Sequence, residues 1–416
     1  MAWSRPACGC ALMLVMACAV SPARAQDETP ADTLQAAPGS TDERSAQIES
    51  IVEQLQAIQS EVDKQKRFKF SGYLQARYEN AEDSDDSLRI SGTPPAVTVA
   101  NRNRFYIRRA RLKLTYDSSP LSQGVIYFDG GTDRTVRLLE AYVTLLDPWT
   151  VEHRHSLTVG QFNVPFGYEI ERSSSVRELP ERSRAENVLF PGERDRGLKV
   201  VSQWTDQLET VVSVLNGGGI SHPLYANTDP TGMKDLTGRV RWSQGVFDVA
   251  ASYYWGDEAT PLVGPDVETD KTRLGFDAQI FYEAPSIGGG TLRGEFYSGE
   301  NLNADSLRAL APPPAGQGTA LLRPGNLATD FVGGYVMWVQ NFGDRAQVAV
   351  RWDTFDPNVD KDHDEYWRLG TGLNFFPDGN VRITVSYDFQ NTETAGGSLY
   401  QDPKDNLWTI QFQHKF

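Results

Sequence analysis

Cysteine is nearly absent from this chain, and its few residues all lie close to the N-terminus. Cys8, Cys10 and Cys18 are the three present, so residues 19–416 contain none. That part of the chain therefore forms no disulfide and holds no thiolate-bound metal. Histidine is also scarce, and its five residues stand apart, without the grouping of nucleophile and base that catalysis requires. We predict neither an enzyme nor a cofactor.

Long hydrophobic runs are missing as well. No stretch after Val20 is apolar enough to form a membrane helix. The apolar run at residues 7–20 follows Arg5 and precedes the small-residue site Ala23-Arg24-Ala25. This order of basic, apolar and small residues is typical of a secretory signal peptide. We predict that residues 1–25 are a signal peptide that is removed on export.

The chain also lacks an excess of basic residues. It has 40 Lys and Arg against 55 Asp and Glu, which gives a formal net charge of −15. Such a balance argues against binding of nucleic acid, whose phosphates require a basic surface. It does not show which surface carries the acids.

From Phe68 onward, apolar and polar side chains alternate with a period of two, which is the pattern of strands with one apolar and one wet face. We predict sixteen strands, at 68–78, 104–117, 122–130, 136–147, 155–163, 194–204, 208–216, 236–243, 246–256, 271–282, 290–300, 330–341, 345–356, 366–376, 380–391 and 405–416. Odd-numbered gaps between them are 5–30 residues long and even-numbered gaps 2–7. In transmembrane β-barrels the connections at one end are short turns and those at the other end are longer loops, so short and long gaps alternate along the chain. The sequence thus predicts an all-β fold, a 16-stranded antiparallel transmembrane β-barrel over residues 67–416, surrounded by outer-membrane lipid.

A different period precedes the strands. Residues 26–40 are acidic and rich in Ala, Pro, Gly and Thr, as in a disordered linker. Apolar residues then recur at spacings of three and four, the pattern of a heptad seam, at Ile48, Ile51, Leu55, Ile58 and Val62. We predict that residues 26–66 form a periplasmic linker and a short N-terminal coiled-coil helix that supports a homotrimer. A single amphipathic helix packed on its own barrel is the alternative.

Four further stretches are informative, namely residues 105–112, 159–167, 351–353 and 372–377. They resemble the phosphate-selective porin O/P family of the bacterial cell outer membrane. The resemblance implies a trimeric, sixteen-stranded channel for anions, with phosphate the solute of its best-known members. The final strand ends on Phe416, which resembles barrels whose last strand addresses the barrel-assembly machinery. We expect passive diffusion of small anionic solutes, phosphate or polyphosphate among them. A weakly selective general porin and a loop-mediated surface adhesin are the alternatives.

The strand pattern also predicts which charges face the pore. If the apolar face of each strand contacts lipid, the other face lines the lumen, and it carries fourteen bases against seven acids. Arg108 falls on the lipid face, and we expect it near the outer rim or a subunit interface. Alternatively, these bases pair with acids across the strands and stabilise the wall. The predicted pore-lining and anion-binding residues are Arg77, Arg109, Arg111, Lys113, Arg239, Arg241, Arg273 and Arg351.

The third and longest odd gap, residues 164–193, is expected to fold inward and narrow the channel. We predict that its arginines, Arg172, Arg177, Arg182 and Arg184, lie at this constriction. The loop also carries six glutamates, so it is not a purely basic ring. It would form either a salt-bridged plug or a constriction of opposed charges with weak selectivity.

Overall fold

The computed structural model of the protein describes residues 40–82, 103–131, 135–220, 229, 231–259, 268–302, 328–362, 364–392 and 406–416. The predicted signal peptide, residues 1–25, and the linker before residue 40 lie outside the described residues. The same holds for most of the longest predicted outer loops. Within the described residues no helix is long and apolar enough to cross a membrane.

Sixteen strands form one closed antiparallel barrel in which each strand pairs with its neighbours in sequence and the first pairs with the last. The strands are β1 (Phe68–Ala81), β2 (Asn103–Ser119), β3 (Ser122–Asp129), β4 (Arg137–Leu146), β5 (His155–Asn163), β6 (Arg194–Gln203), β7 (Leu208–Leu215), β8 (Asp235–Gln244), β9 (Phe247–Ala259), β10 (Glu268–Ala284), β11 (Gly288–Leu302), β12 (Ala328–Phe342), β13 (Ala346–Asp356), β14 (Tyr366–Phe375), β15 (Val381–Thr392) and β16 (Leu407–Lys415). The predicted number, order and pairing are confirmed, and every boundary lies within three residues of its predicted position.

The barrel has its polar side chains inside and its apolar side chains outside. On β16, Thr409, Gln411 and Gln413 are each only 2% exposed, whereas Trp408 and Phe412 are about half exposed. A soluble barrel would show the reverse, because apolar side chains would then be buried away from water. The inverted pattern fits a barrel whose outer face meets lipid.

Strict alternation is interrupted on β2 and again on β4, and one interruption on β2 moves a charged side chain. Gln75 of β1 pairs with Arg109 of β2, but the next residue, Ala76, pairs with Ile107, so that Arg108 is the extra residue of a β-bulge. A bulge shifts the side-chain parity of its strand. Arg108 consequently contacts Glu181 of the loop between β5 and β6, at 2.8 Å. The prediction that Arg108 faces lipid is wrong, because simple alternation cannot register a bulge.

The helix α1 (Ser40–Lys66) precedes the barrel in the chain. The chain forms two compact units, one that ends at Glu61 and one that begins at Val62. Four residues of the predicted heptad seam, Ile51, Leu55, Ile58 and Val62, are 41–60% exposed in the single chain. The helix is therefore present, while the coiled coil and its periplasmic placement remain predictions.

The barrel closes at its C-terminal residue. The amide of Gly72 on β1 donates to the carbonyl oxygen of Phe416 at 2.9 Å, and the amide of Phe416 donates back at 3.1 Å. A Cβ atom on Gly72 would lie 2.4 Å from the carbonyl oxygen of Arg111 and 2.5 Å from the Phe416 ring. Only glycine leaves room for the aromatic ring at this point.

We therefore expect Gly72→Ala to weaken closure of the barrel. Displacing a packed ring against backbone costs about 1–3 kcal/mol. The midpoint of unfolding, followed by the shift between folded and heat-denatured forms on a gel, should fall. Gly124→Ala is the matched control, because nothing lies within 4 Å of the added Cβ atom. Equal midpoints for the two variants would contradict this account of the seam.

Candidate functional site: the third loop and the channel interior

The third loop, residues 164–193 between β5 and β6, lies inside the barrel. Hydrogen bonds and ion pairs connect it to inward-facing side chains on β1, β2, β8, β9, β11 and β13–β16. It contains one short helix, α2 (Arg184–Leu189). The loop therefore reaches nearly all the way round the wall and narrows the interior, as its length predicts.

One side of the loop is held by apolar packing. Phe166, Ile170 and Leu189 are at most 1% exposed and belong to a cluster with wall residues of β9 and β11–β14. Leu179 packs on β14 at Gly372, where an added Cβ atom would lie 2.7 Å from the leucine Cδ2. This apolar packing fills part of the space between the loop and the wall.

An ion-pair network on β13 and β14 holds the start of α2. Arg351 donates to Glu169 of the loop at 3.0 Å and to Asp353 at 3.1 Å. Arg368 donates to the same Asp353 oxygen at 2.9 Å and to the carbonyl oxygen of Arg182 at 2.6 Å. Asp353, which is fully buried, also accepts from the backbone amide of Arg184 at 3.3 Å. The predicted pore-lining residue Arg351 thus serves to anchor the loop.

A single loop carboxylate contacts three arginines on the opposite wall. Glu181 accepts from Arg77 at 2.6 Å and from Arg108 at 2.8 Å, and lies 3.5 Å from Arg109. Burial raises the pKa of the Glu181 carboxyl, but the three guanidinium groups outweigh burial and hold that pKa well below its usual range. Glu181 is therefore ionised, and the three arginines share its charge.

The middle of the loop is held by further polar contacts. Glu178 accepts hydrogen bonds from Arg172 of the loop, at 2.8 Å, and from Arg293 of β11. Ser174 contacts Tyr73 and accepts from Arg111 at 3.1 Å. These contacts place loop polar groups directly on the arginine row of β2.

The other predicted pore-lining bases are also engaged. Arg111 pairs with Asp129 at 2.8 Å, Lys113 lies 3.6 Å from Glu140, Arg239 donates to Asp277 at 2.9 Å, and Arg241 donates to Asp248 at 2.9 Å. Arg273 has no acidic partner among the described residues, but donates to Asn301 at 2.7 Å and lies 4.4 Å from the ring centre of Phe190. Pairing across the strands, the alternative left open by the sequence, therefore describes most of these bases.

The four loop arginines have different surroundings. Arg172 pairs with Glu178, and Arg184 lies over the Tyr366 ring at 5.1 Å. Arg182 is an internal brace that donates to the carbonyl oxygens of Ile170 and Arg172. Arg177 is 4% exposed, and its side chain makes no hydrogen bond or ion pair with the described residues; burial lowers its pKa. Salt bridges therefore hold the described third loop, as the first alternative expects, while the role of its arginines at a constriction stays a prediction.

Water-accessible space remains between the loop and the wall formed by β1–β6 and β16. This cavity has a volume of about 670 Å³ and is lined by hydroxyl groups, tyrosines and charged side chains. Two of its bases, Lys199 of β6 and Lys415 of β16, have no acidic partner among the described residues. Lys199 lies 5.0 Å from the ring centre of Phe162. The cavity thus offers ammonium groups that an anion can approach without breaking an ion pair.

Lys199 and Lys415 are two of the fourteen bases that the strand pattern directs inward, but the sequence did not single them out as candidates. What distinguishes them is the absence of a partner, which depends on how the third loop lies. The loop glutamates were visible, yet nothing in the sequence assigned Glu181 to β1 and β2 or Glu169 to β13. Only long-range packing pairs them.

Residues 91–219 match the family model described as phosphate-selective porin O and P. The predicted resemblance to this family is confirmed. The matched range contains β2–β7 and the third loop, and with them two of the four stretches that carried the resemblance; residues 351–353 and 372–377 lie outside it. Together with the closed barrel, the match supports an outer-membrane channel of the porin type. No curated protein matches the sequence.

Solved porin structures share the fold. The outer-membrane channel DcaP of Acinetobacter baumannii has a TM-score of 0.58 and 13% identity, over 84% of this chain and 97% of that one. An anion-selective porin from Comamonas acidovorans has a TM-score of 0.55 and 11% identity, over 84% and 99%. The trimer form of OmpT of Vibrio cholerae has a TM-score of 0.52 and 12% identity, over 84% and 99%. At these identities the likeness concerns the fold alone.

We predict that Asp353→Asn releases the third loop. The substitution keeps the shape of the side chain but removes the charge that Arg351 and Arg368 share, and breaking a buried network in this way costs about 3–5 kcal/mol. Trypsin should then cleave after the loop arginines on the order of tenfold faster or more. Asp206→Asn, at an exposed turn residue that pairs with Arg154, is the control and should leave cleavage unchanged. Equal protection in both variants would show that the network does not hold the loop.

Proposed function

We propose that this protein is an outer-membrane channel for the passive diffusion of small anionic solutes. The observation that carries the proposal is the distribution of unpaired charge. In the described interior, most arginines are neutralised by wall or loop carboxylates, whereas Lys199 and Lys415 face the open cavity without an acidic partner. Net positive charge along the wet path lowers the barrier for anions and raises it for cations.

The same distribution favours moderate anion preference over a dedicated phosphate site. A tight phosphate site needs several convergent donors, and the planar fork of arginine is the group best suited to it. Here the arginine forks on β1, β2 and β13 are already bound to Glu181, Asp129, Asp353 and Glu169. Among the described residues, the cavity-lining bases without an acidic partner are the single ammoniums of Lys199 on β6 and Lys415 on β16, whereas Arg177 and Arg273, which also lack one, are buried. Phosphate is then one of several small anions that pass, and polyphosphate is an extended form of the same chemistry.

We also propose that the mature channel is a homotrimer in the bacterial outer membrane, exported after removal of residues 1–25 and inserted by the barrel-assembly machinery. The OmpT porin with the same fold has a trimer form. The exposed apolar seam of α1 supports self-association, because 41–60% exposure of four large apolar residues on one helix is unfavourable in water. The seam spans few heptads, so barrel walls must supply most of the contact.

For selectivity, we expect Lys199→Glu combined with Lys415→Glu to shift the reversal potential of a planar-bilayer channel toward cations. The shift should be largest at low salt, where the screening length exceeds the width of the cavity. If phosphate passes by this path, millimolar phosphate should reduce chloride current in the parent and not in the double variant.

Arg154→Glu, a charge reversal of the same sign in an exposed turn, is the control and should change the reversal potential little. An unchanged reversal potential in the lysine variant would place the charge filter elsewhere. Absence of any conductance in the folded parent protein would contradict the channel itself.

For assembly, we expect Leu55→Asp combined with Ile58→Asp to weaken the trimer while leaving the pore open, because charges on the seam must be desolvated when helices pair. Light scattering in mild detergent reports the mass of the particle, and bilayer conductance reports the pore. Gln56→Asp with Ser60→Asp adds the same charge off the seam and should leave the mass unchanged. A monomeric parent protein would contradict the proposed trimer.

A further inference from the structure

The third loop contains a buried acidic side chain that the proposed channel does not require. Glu186 of α2 is 1% exposed, and neither of its carboxyl oxygens has a hydrogen-bond partner among the described residues. Its nearest cation is Arg182, whose Nε lies 3.0 Å from Oε1. An isolated buried carboxylate is strongly disfavoured, so the group must either be paired or take up a proton.

Arg182 does not neutralise Glu186 alone. The same guanidinium group also contacts Glu193, whose other carboxyl oxygen lies 3.1 Å from Arg194 of β6. Arg177 lies within electrostatic reach, but is itself buried and makes no ion pair among the described residues. Arg182 is thus the cation in direct contact with Glu186 among the described residues, and it is shared with a second carboxyl.

The second acid in this site is Glu169. One of its oxygens accepts from Arg351 of β13, and the other accepts from the backbone amide of Ser183 at 2.9 Å, directly before α2. Burial opposes ionisation, but Arg351 and contact with the Glu186 carboxyl lower the pKa of Glu169 to about 2. Burial and the charge of Glu169 raise the pKa of Glu186 well above its usual range. Of the two carboxyls, Glu186 is therefore the one whose surroundings favour the protonated form.

Charged residues of the surrounding wall are consistent with a lowered pKa for Glu169 and a raised pKa for Glu186. Glu295 of β11 faces the pair and accepts from the backbone amides of Tyr168 and Glu169, at 2.8 and 2.7 Å. From β13 and β14, Arg351 and Arg368 face the site but are already bound to Asp353. No wall cation among those described is left to compensate a second negative charge on Glu186.

We propose that the Glu169–Glu186 carboxyl pair is a proton-operated latch that holds α2 against the barrel wall, so that the third loop loosens as the pH rises. The inference rests on the proposed channel, since it assigns regulation to the loop that narrows it. In the docked loop a protonated Glu186 donates its proton toward Glu169. When Glu186 ionises, two adjacent buried carboxylates repel each other, and the loop gains by leaving the wall.

The direction follows from proton binding. The pKa of Glu186 is raised only while the loop is docked, so docking takes up a proton and weakens as the pH rises above the ordinary value for glutamate. Because one proton is involved, the equilibrium constant for docking of the loop falls by at most about tenfold for each unit of pH, until the raised pKa is reached. Glu169 acts in the opposite direction, because its stabilising effect is lost only as the pH falls toward 2. Above the ordinary pKa of glutamate, the Glu186 effect therefore governs.

The test compares the parent protein with Glu186→Gln, which keeps the neutral form at every pH. Tryptic cleavage at the loop arginines, expressed as the ratio of parent to variant at the same pH, should rise between pH 6 and 9. The ratio cancels the pH dependence of trypsin. Single-channel current in planar bilayers should likewise become larger and noisier at pH 9 in the parent and stay constant in the variant.

Glu171→Gln is the matched control, because Glu171 is an exposed acid of the same loop, and this variant should respond to pH as the parent does. A flat cleavage ratio in folded protein, or an equal pH response in Glu186→Gln, would overturn the latch. The cleavage assay requires no conduction. A channel that conducts nothing but shows the pH-dependent ratio would therefore refute the proposed function while supporting the latch.

Discussion

The pairing of third-loop carboxylates with wall arginines is the interaction on which the rest of this interior depends. A barrel in a membrane cannot direct its charged side chains toward lipid, so they accumulate inside. Inside, an arginine is costly to bury without a partner. The loop supplies the partners: Glu169 for β13, Glu178 for β11 and Glu181 for β1 and β2. Without the loop, Arg108, Arg109 and Arg293 would lose the acidic partners that the structure gives them.

This arrangement separates structural from functional charge. A guanidinium group bound to a carboxylate contributes little net potential at a distance, because the two charges cancel over a few ångströms. Arg77, Arg109 and Arg351 therefore stabilise the loop more than they attract solutes. Single ammoniums such as those of Lys199 and Lys415 act over the full screening length. The number of bases in a pore is thus a poor guide to selectivity, and the number without partners is a better one.

The sequence predicted the barrel well and its interior less well, for a physical reason. Strand number, order and register depend on a period of two and on turn chemistry, and both are local. The displacement of Arg108 into the interior depends on one bulge opposite Gln75 and Ala76, which no period reveals. The partner of Arg109 is Glu181, 72 positions away along the chain, and only the path of the loop brings them together. The local sequence pattern predicts the face of the strand on which a side chain lies, whereas tertiary packing determines which residues that side chain contacts.

Holding a loop by ion pairs, in addition to apolar contacts, has a consequence for its behaviour. Apolar packing such as Leu179 on Gly372 is insensitive to pH and salt, and it sets where the loop lies. Buried ion pairs contribute little net stability, since desolvation offsets their attraction. They still fix the position of the loop, because any other position would leave a buried charge without a partner. The loop is therefore specific in position without being deeply stabilised. A single proton on a site such as Glu186 is then large enough, relative to that modest net stability, to alter how firmly the loop is held.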